Sequence, residues 1–134
     1  GLLGFEGTVV PMMDARCGQV YTALFEFDGE KTIRLTEDTP LKLDELEAKL
    51  GEYDKPVVFT GDGCRVAEKY FGNNEKYEFF SGVFAFQHGC NVALAAWLMY
   101  NNGEKPVSGK DLFPRYLRLS QAERERNRKG EDNK

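Results

Sequence analysis

About a third of the way along, the chain changes its period, and that change limits what it can fold into. Up to Thr36 the residues are β-formers cut by tight-turn signals; from Leu43 onward leucines fall at helical spacing and short apolar runs alternate with helical stretches. Thr8 to Ala15 reads as a strand in which Pro11 marks a sheet edge or a bulge. Gly18 to Phe27 reads as one further strand, and Ala15-Arg16-Cys17-Gly18 as the tight turn between the two, with Gly18 supplying the permissive backbone. Asp28-Gly29 is another turn signal, ahead of a third strand from Lys31 to Thr36. Leu43, Leu46, Glu47 and Leu50 then mark a short helix closed by Gly51. Lys55-Pro56 introduces Val57 to Thr60, an apolar run without alternation, as expected of a strand buried on both faces. After Gly61-Asp62-Gly63 comes a second helix from Cys64 to Phe71, a short strand from Glu75 to Phe80, and a long helix from about Gln87 to Asn101 ended by Asn102-Gly103. Arg115 to Leu119 reads as extended. This order predicts an α/β fold: an antiparallel three-stranded meander plus parallel strands in a mixed sheet, with flanking helices.

Composition narrows the function classes. The chain has 134 residues, 41% hydrophobic and 30% charged, a balance suited to one domain with its own core. Residues 5–119 form that single lobe, and residues 120–134 are a charged tail, helical or disordered. A net charge of -4 argues against a protein that grips nucleic acid by itself, because such binding depends on Lys and Arg neutralising phosphates. The three cysteines, Cys17, Cys64 and Cys90, are odd in number and widely spaced, unlike a secreted disulfide framework. Gly1 to Pro11 lacks the pattern of a secretory leader, and the most apolar window, Val83 to Tyr100, is broken by Gln87, His88 and Asn91. The expectation is a cytoplasmic protein with no membrane partner.

Four segments, in order, resemble the TsaB (YeaZ) family: Met13-Asp14-Ala15-Arg16 leading to Gln19-Val20-Tyr21; Phe59-Thr60-Gly61-Asp62-Gly63; Phe86 to Leu94; and Pro114-Arg115-Tyr116-Leu117-Arg118 followed by Ser120-Gln121-Ala122-Glu123-Arg124. In this frame Asp14, Arg16, Tyr21, Pro114, Tyr116, Arg118 and Glu123 are structural motif residues. The resemblance implies an actin-like, ribonuclease H-like ATPase fold of two similar halves, of which this chain looks like the second. It further implies a bacterial, non-catalytic pseudo-ATPase subunit that supports a TsaD-like catalytic subunit, alongside a TsaE-like ATPase, in forming threonylcarbamoyladenosine on tRNA, with tRNA contact indirect. The glycine-rich segment and partner-docking helices implied for the first half are not in these residues. A homodimer is a further expectation, since apolar surface that a first half would cover seeks another partner.

The superfamily's older glycoprotease label calls for a chemical test. A zinc peptidase needs two or three ligands, commonly two histidines one helical turn apart, and the chain has one histidine, His88, with Cys90 on another helix face. Among thiols, Cys17 beside Arg16 is the best candidate nucleophile, set against a small residue tolerated in a hairpin. Gly61, Asp62 and Gly63 form a weak candidate nucleotide-binding turn, since amides between a buried strand and a helix can hold phosphate. The competing reading, a turn whose glycines relieve strain while Asp62 caps the helix, is favoured because no Lys or Ser/Thr follows in a phosphate-binding pattern. Asp14 and Arg16 read as a turn-stabilising pair rather than catalytic groups. The 10 Phe, 6 Tyr and 1 Trp, lacking interleaved basic residues, read as core rather than as base-stacking platforms. No catalytic residue, metal or cofactor is assigned. The alternatives kept open are a glycoprotease-like hydrolase and a degenerate nucleotide-binding module.

Overall fold

The computed structural model describes residues 5–72, 74–80, 82 and 86–117. In chain order the elements are β1 (Gly7–Arg16), β2 (Gln19–Thr22), β3 (Phe25–Phe27), β4 (Thr32–Arg34), β5 (Thr39–Lys42), α1 (Leu43–Leu50), β6 (Val57–Thr60), α2 (Cys64–Phe71), β7 (Tyr77–Phe79) and α3 (Gly89–Asn101). The seven strands form one mixed sheet. β1 pairs antiparallel with β2 and β3 and parallel with β6; β6 in turn pairs parallel with β7.

Pro11 lies within the most heavily paired strand, which corrects the expectation of an edge or a bulge at this residue. Backbone groups alternate in direction along a strand. Thr8 N–H donates to Pro56 O, and Met12 O accepts from Gly63 N–H, so Thr8, Val10 and Met12 turn their polar groups toward β6. Val9, Pro11 and Met13 therefore turn theirs toward β2 and β3. That partner is interrupted at Ala23-Leu24, opposite the step from Val9, the last β3-paired residue, to Met12, the first β2-paired one. Proline's missing N–H thus falls where the ladder has a gap, and the Pro11 carbonyl accepts from Thr22 Oγ1 at 2.8 Å. The register shift in β1 occurs between Asp14 and Arg16 instead.

The same interruption corrects the expectation of one continuous strand from Gly18 to Phe27. Leu24 N–H donates to Thr36 Oγ1 (2.8 Å), and Leu24 O accepts from Leu35 N–H (2.8 Å) and Thr36 N–H (3.3 Å). These bonds pull the backbone out of the ladder, so β2 continues to β5 and β3 to β4. The meander therefore gains a strand, β5, that Thr39-Pro40 did not signal as such.

The two turns of the meander are built differently. Cys17 and Gly18 connect β1 to β2 with φ of 54° and 72°, the left-handed backbone that two-residue hairpin loops require, and Arg16 shares it at 63°. At the next turn Asp28 Oδ1 accepts from the Glu30 and Lys31 amides at 3.0 and 2.7 Å, which holds its carboxyl below the usual carboxylate range.

α1 and α2 cover one face of the sheet. Leu43, Leu46 and Leu50 of α1 and Ala67 and Phe71 of α2 pack with Val10, Met12, Val57 and Phe59. Phe59 is the centre: its ring stacks on Phe71 (5.5 Å) and Phe79 (4.9 Å) and meets Tyr77 edge-on (5.3 Å). α1 is held at its start by Lys42 N–H donating to Glu45 Oε2 at 2.8 Å. α3 stands on the opposite side, over Pro11, Met13 and Thr60. It ends as a left-handed glycine stop should, with Gly103 at φ 90°, Gly103 N–H bonded to Tyr100 O, and Glu104 N–H bonded to Met99 O. No described helix is long and apolar enough to cross a membrane.

Phe59→Ala should lower the unfolding free energy by about 3–5 kcal/mol, read from urea melts. Ile33→Ala, on the exposed edge strand β4, should cost under about 1 kcal/mol.

Candidate functional site

Asp14, Arg16 and the Gly61-Asp62-Gly63 turn come together where the parallel strands β1 and β6 end. The Gly61-Asp62-Gly63 turn folds back against β1 at Met12. Gly61 has φ 99°, and a Cβ there would sit 2.0 Å from Met12 O; a Cβ on Gly63 would sit 2.9 Å from Met12 Cβ. Both glycines are accounted for by this close approach between backbones.

The turn's polar groups face inward. Gly63 N–H donates to Met12 O (3.2 Å), Cys64 N–H to Gly61 O (3.2 Å), and Asp62 Oδ1 accepts the Asp14 N–H (3.1 Å). Asp62 therefore does not cap α2, whose N-cap is Gly63 without a side-chain bond. It reaches across to the hairpin instead. Asp14 continues the chain of contacts: its Oδ1 accepts Arg16 N–H at 2.8 Å, and its Oδ2 lies 3.5 Å from Arg16 Nη1. The Arg16 side chain is 86% exposed, so this ion pair adds little beyond orienting the turn. The Gly63 and Cys64 amides are thus spent on Met12 and Gly61 rather than presented to a phosphate.

Two apolar grooves flank Met13. One, of about 400 Å³, lies between β1, the Gly61 turn and the start of α3, lined by Pro11, Met13, Thr60, Asn91, Val92 and Ala95. The other joins Met13 and Tyr21 to Arg115, Tyr116 and Leu117. The segment after α3 thus returns to the meander, where Arg115 lies 3.5 Å from Glu37 and 3.8 Å from Asp38 in the connection between β4 and β5. Tyr116 is nevertheless 86% exposed, and Pro114 is exposed as well. Arg118 and Glu123 lie outside the described residues. So does the charged tail, residues 120–134.

The thiols are dispersed. Cys17 and Cys90 are exposed and Cys64 is buried. Burial, then the charges of Glu68 and Asp62, push the Cys64 thiol up to about 11, the reverse of nucleophile activation. His88 is the N-cap of α3, and its side chain makes no cap bond. No group of three or more metal-ligating side chains is found among the described residues.

Sequence reasoning missed the character of α3. No residue of this helix is buried, and Trp97 and Tyr100 are 61% and 64% exposed. The aromatic residues therefore divide into a core set around Phe59 and an exposed set that includes Phe86, Trp97, Tyr100, Phe113 and Tyr116, which corrects the expectation that they serve as core throughout. The signal was present: Gly89 to Asn101 contains no Asp, Glu, Lys or Arg on any face.

No protein-family model matches the chain. Among curated proteins it is similar to the tRNA threonylcarbamoyladenosine biosynthesis protein TsaB of Bacillus subtilis (strain 168), 32% identical over 119 residues that make up 89% of this chain and 51% of that protein. The chain belongs to the TsaB (YeaZ) family. It spans about half the length of the curated TsaB it matches. Among solved structures, its fold is similar to that of an uncharacterized protein with similarity to peptidase YeaZ from Pseudomonas aeruginosa, with a TM-score of 0.61 at 16% identity, covering 84% of this chain and 50% of that one.

Gly61→Ala should destabilise this TsaB-family chain by about 3 kcal/mol or more in urea melts, through left-handed backbone strain and the collision with Met12 O. Asp62→Ala, which removes one exposed contact, should cost about 1 kcal/mol. Stability should fall as pH rises from about 9 toward 11, because the folded state holds the Cys64 proton more tightly than the unfolded chain does. Cys64→Ala should flatten that part of the pH profile.

Proposed function

We propose that the chain acts as a non-catalytic lobe of a TsaB-type subunit, supporting a TsaD-like enzyme in threonylcarbamoyladenosine formation on tRNA. The observation that carries this reading is the 119-residue match to Bacillus subtilis TsaB, whose name places that protein in this biosynthesis. The same reading makes the lobe the second half of an actin-like, ribonuclease H-like pair working in the cytoplasm, with a TsaE-like ATPase as a further partner and tRNA contacted only indirectly.

Support for a non-catalytic role comes from the condition of the groups that chemistry would need. The Gly63 and Cys64 amides at the end of the glycine turn are bonded inward, and the one buried thiol is held protonated by its surroundings. The residues shared with the family motifs act on one another: Asp62 on Asp14, Asp14 on Arg16. Such a lobe contributes shape, by fixing the hairpin, the turn and α3 in one arrangement against which other polypeptides fit.

The test is a chimera. In a Bacillus subtilis strain depleted of its own TsaB, the matching half of that protein is replaced by this chain, or deleted, and the modified nucleoside is quantified in tRNA digests by mass spectrometry. The chimera should restore the nucleoside and the deletion should not. Restoration by the deleted form would overturn the proposal. Turnover of peptide by the purified chain, lost on Cys17→Ser or His88→Ala, would favour the hydrolase reading instead.

A further inference from the structure

Three strands of the sheet pair on one side only: β4 with β3, β5 with β2, and β7 with β6. The free side of such a strand presents unpaired N–H and C=O groups to any extended polypeptide, and sheets ordinarily blunt it with proline or charged side chains. Two of these edges are blunted. On β2, Tyr21 faces β1 opposite Met13, so Val20 and Thr22 face β5. Their partners Leu41 and Thr39 face back, which leaves Pro40 and Lys42 on the outer edge. Proline offers no donor there, and the Lys42 N–H is taken by Glu45. On β4, Lys31 O and Leu35 N–H are bonded to Asp28 and Leu24, so Thr32 and Arg34 face out. The Arg34 guanidinium covers this edge, 4.6 Å over the Phe25 ring and paired with Asp38.

β7 has no such cover. Val57 N–H donates to Lys76 O and Phe80 N–H to Phe59 O, both at 2.9 Å. Lys76, Glu78 and Phe80 therefore turn their backbone groups toward β6, and Tyr77 and Phe79 turn theirs outward. The Tyr77 N–H is taken by Asn74 O at 3.0 Å. Tyr77 O and both backbone groups of Phe79 make no bond among the described residues. The strand itself contains no Pro, Lys or Arg, and Glu78 forms no ion pair among the described residues.

The side chains of this edge define what a new strand must carry. Tyr77 and Phe79 project to the face of α1 and α2, where both meet the Phe59 ring and stay half-buried. Glu78 projects to the opposite face. An antiparallel strand on this edge sets one residue opposite Phe79, bonded through both backbone groups, and another opposite Tyr77. The residue between them falls opposite Glu78 in a pair without hydrogen bonds, where side chains approach most closely. Charge complementarity calls for Lys or Arg at that place, and the Tyr77 and Phe79 rings for β-branched residues on either side. A second copy of β7 does not meet this pattern. The symmetric register that uses both outward residues sets Glu78 against its own counterpart, a like-charge pair.

We propose that the free edge of β7 is a strand-addition site for another protein, which lends an extended segment in antiparallel register. The segment carries a cationic residue opposite Glu78, flanked by β-branched apolar residues. Bonds to Tyr77 O, Phe79 N–H and Phe79 O hold it, and Glu78 selects it. The inference stands on the geometry of the sheet and is independent of the proposed support of a TsaD-like enzyme.

The experiment titrates the peptide acetyl-Thr-Val-Lys-Val-Thr-amide into the isotopically labelled chain, with amide resonances and hydrogen exchange read by NMR. The Phe79 resonance should shift with a Kd of about 1 mM, as suits so short a strand. Exchange of the Phe79 amide should slow by at least about fivefold at saturation, while Thr39 and Leu41 in β5 stay unchanged. Methylating both valine nitrogens, which face β7, should abolish binding; methylating the lysine nitrogen, which faces away, should change Kd by less than about twofold. Glu78→Lys should weaken this peptide by about fivefold and strengthen its glutamate-for-lysine counterpart by a similar factor, with β1 resonances unchanged. No shift at Phe79 up to about 10 mM peptide would overturn the proposal. So would binding indifferent to valine methylation, or equal affinity of the Glu78→Lys chain for the two peptides. Concentration-dependent slowing of Phe79 exchange in the chain alone would overturn it as well, by showing a second copy as the occupant.

Discussion

The close approach of the Gly61–Gly63 turn to Met12 holds the rest of the structure in place. It can exist only because β6 runs parallel to β1 in a register that pairs Pro11 with Thr60, so that the chain leaving β6 arrives over Met12. Met12 O then accepts the Gly63 amide, and the absence of a Cβ at Gly61 lets the two backbones touch. From that junction α2 is launched across the core face, carrying Phe71 to Phe59. Asp62 extends the junction the other way, to the hairpin that carries Asp14 and Arg16. The family motifs of the first half of the chain are therefore one connected arrangement.

β1 bears that arrangement because both of its edges are occupied. Its parallel neighbour defines the floor under α1 and α2, and its antiparallel neighbours, β2 and β3, diverge at Leu24 to recruit β5 and β4. Divergence curls the sheet and leaves the two faces unequal. One is filled by leucines and the Phe59 cluster. The other is crossed only in part by α3, so the fold has one complete hydrophobic layer and one face with apolar groups still in water. Such an imbalance is typical of a surface shaped to receive another body.

Much of the first face, and the end of α3 on the other, was legible in the sequence. The spacing of Leu43, Leu46 and Leu50, the stop at Gly51, the unalternated run Val57 to Thr60, and the Asn102-Gly103 end of α3 are local signals whose physics does not depend on distant residues. The site was less legible. Asp62 stands where a helix cap would stand, and nothing nearby in the chain shows that Asp14, 48 residues earlier, takes its carboxylate. Pro11 suggested an edge because sequence shows the missing N–H and not the ladder gap that accommodates it. The exposed aromatic set was misread because hydrophobicity reports that a side chain avoids water, not which body removes it.

The sequence by itself determined the helices α1, α2 and α3, the strands β1, β4, β6 and β7 in their order, the tight turn ending at Gly18, and the family, since all of these are written in local residue types and spacings. Only the tertiary structure decided that β1 is the shared strand, that the glycines of the turn serve backbone contact, and that α3 remains uncovered. Those outcomes depend on which surfaces meet across long separations in the chain, and burial is a property of the pair that meets rather than of either residue.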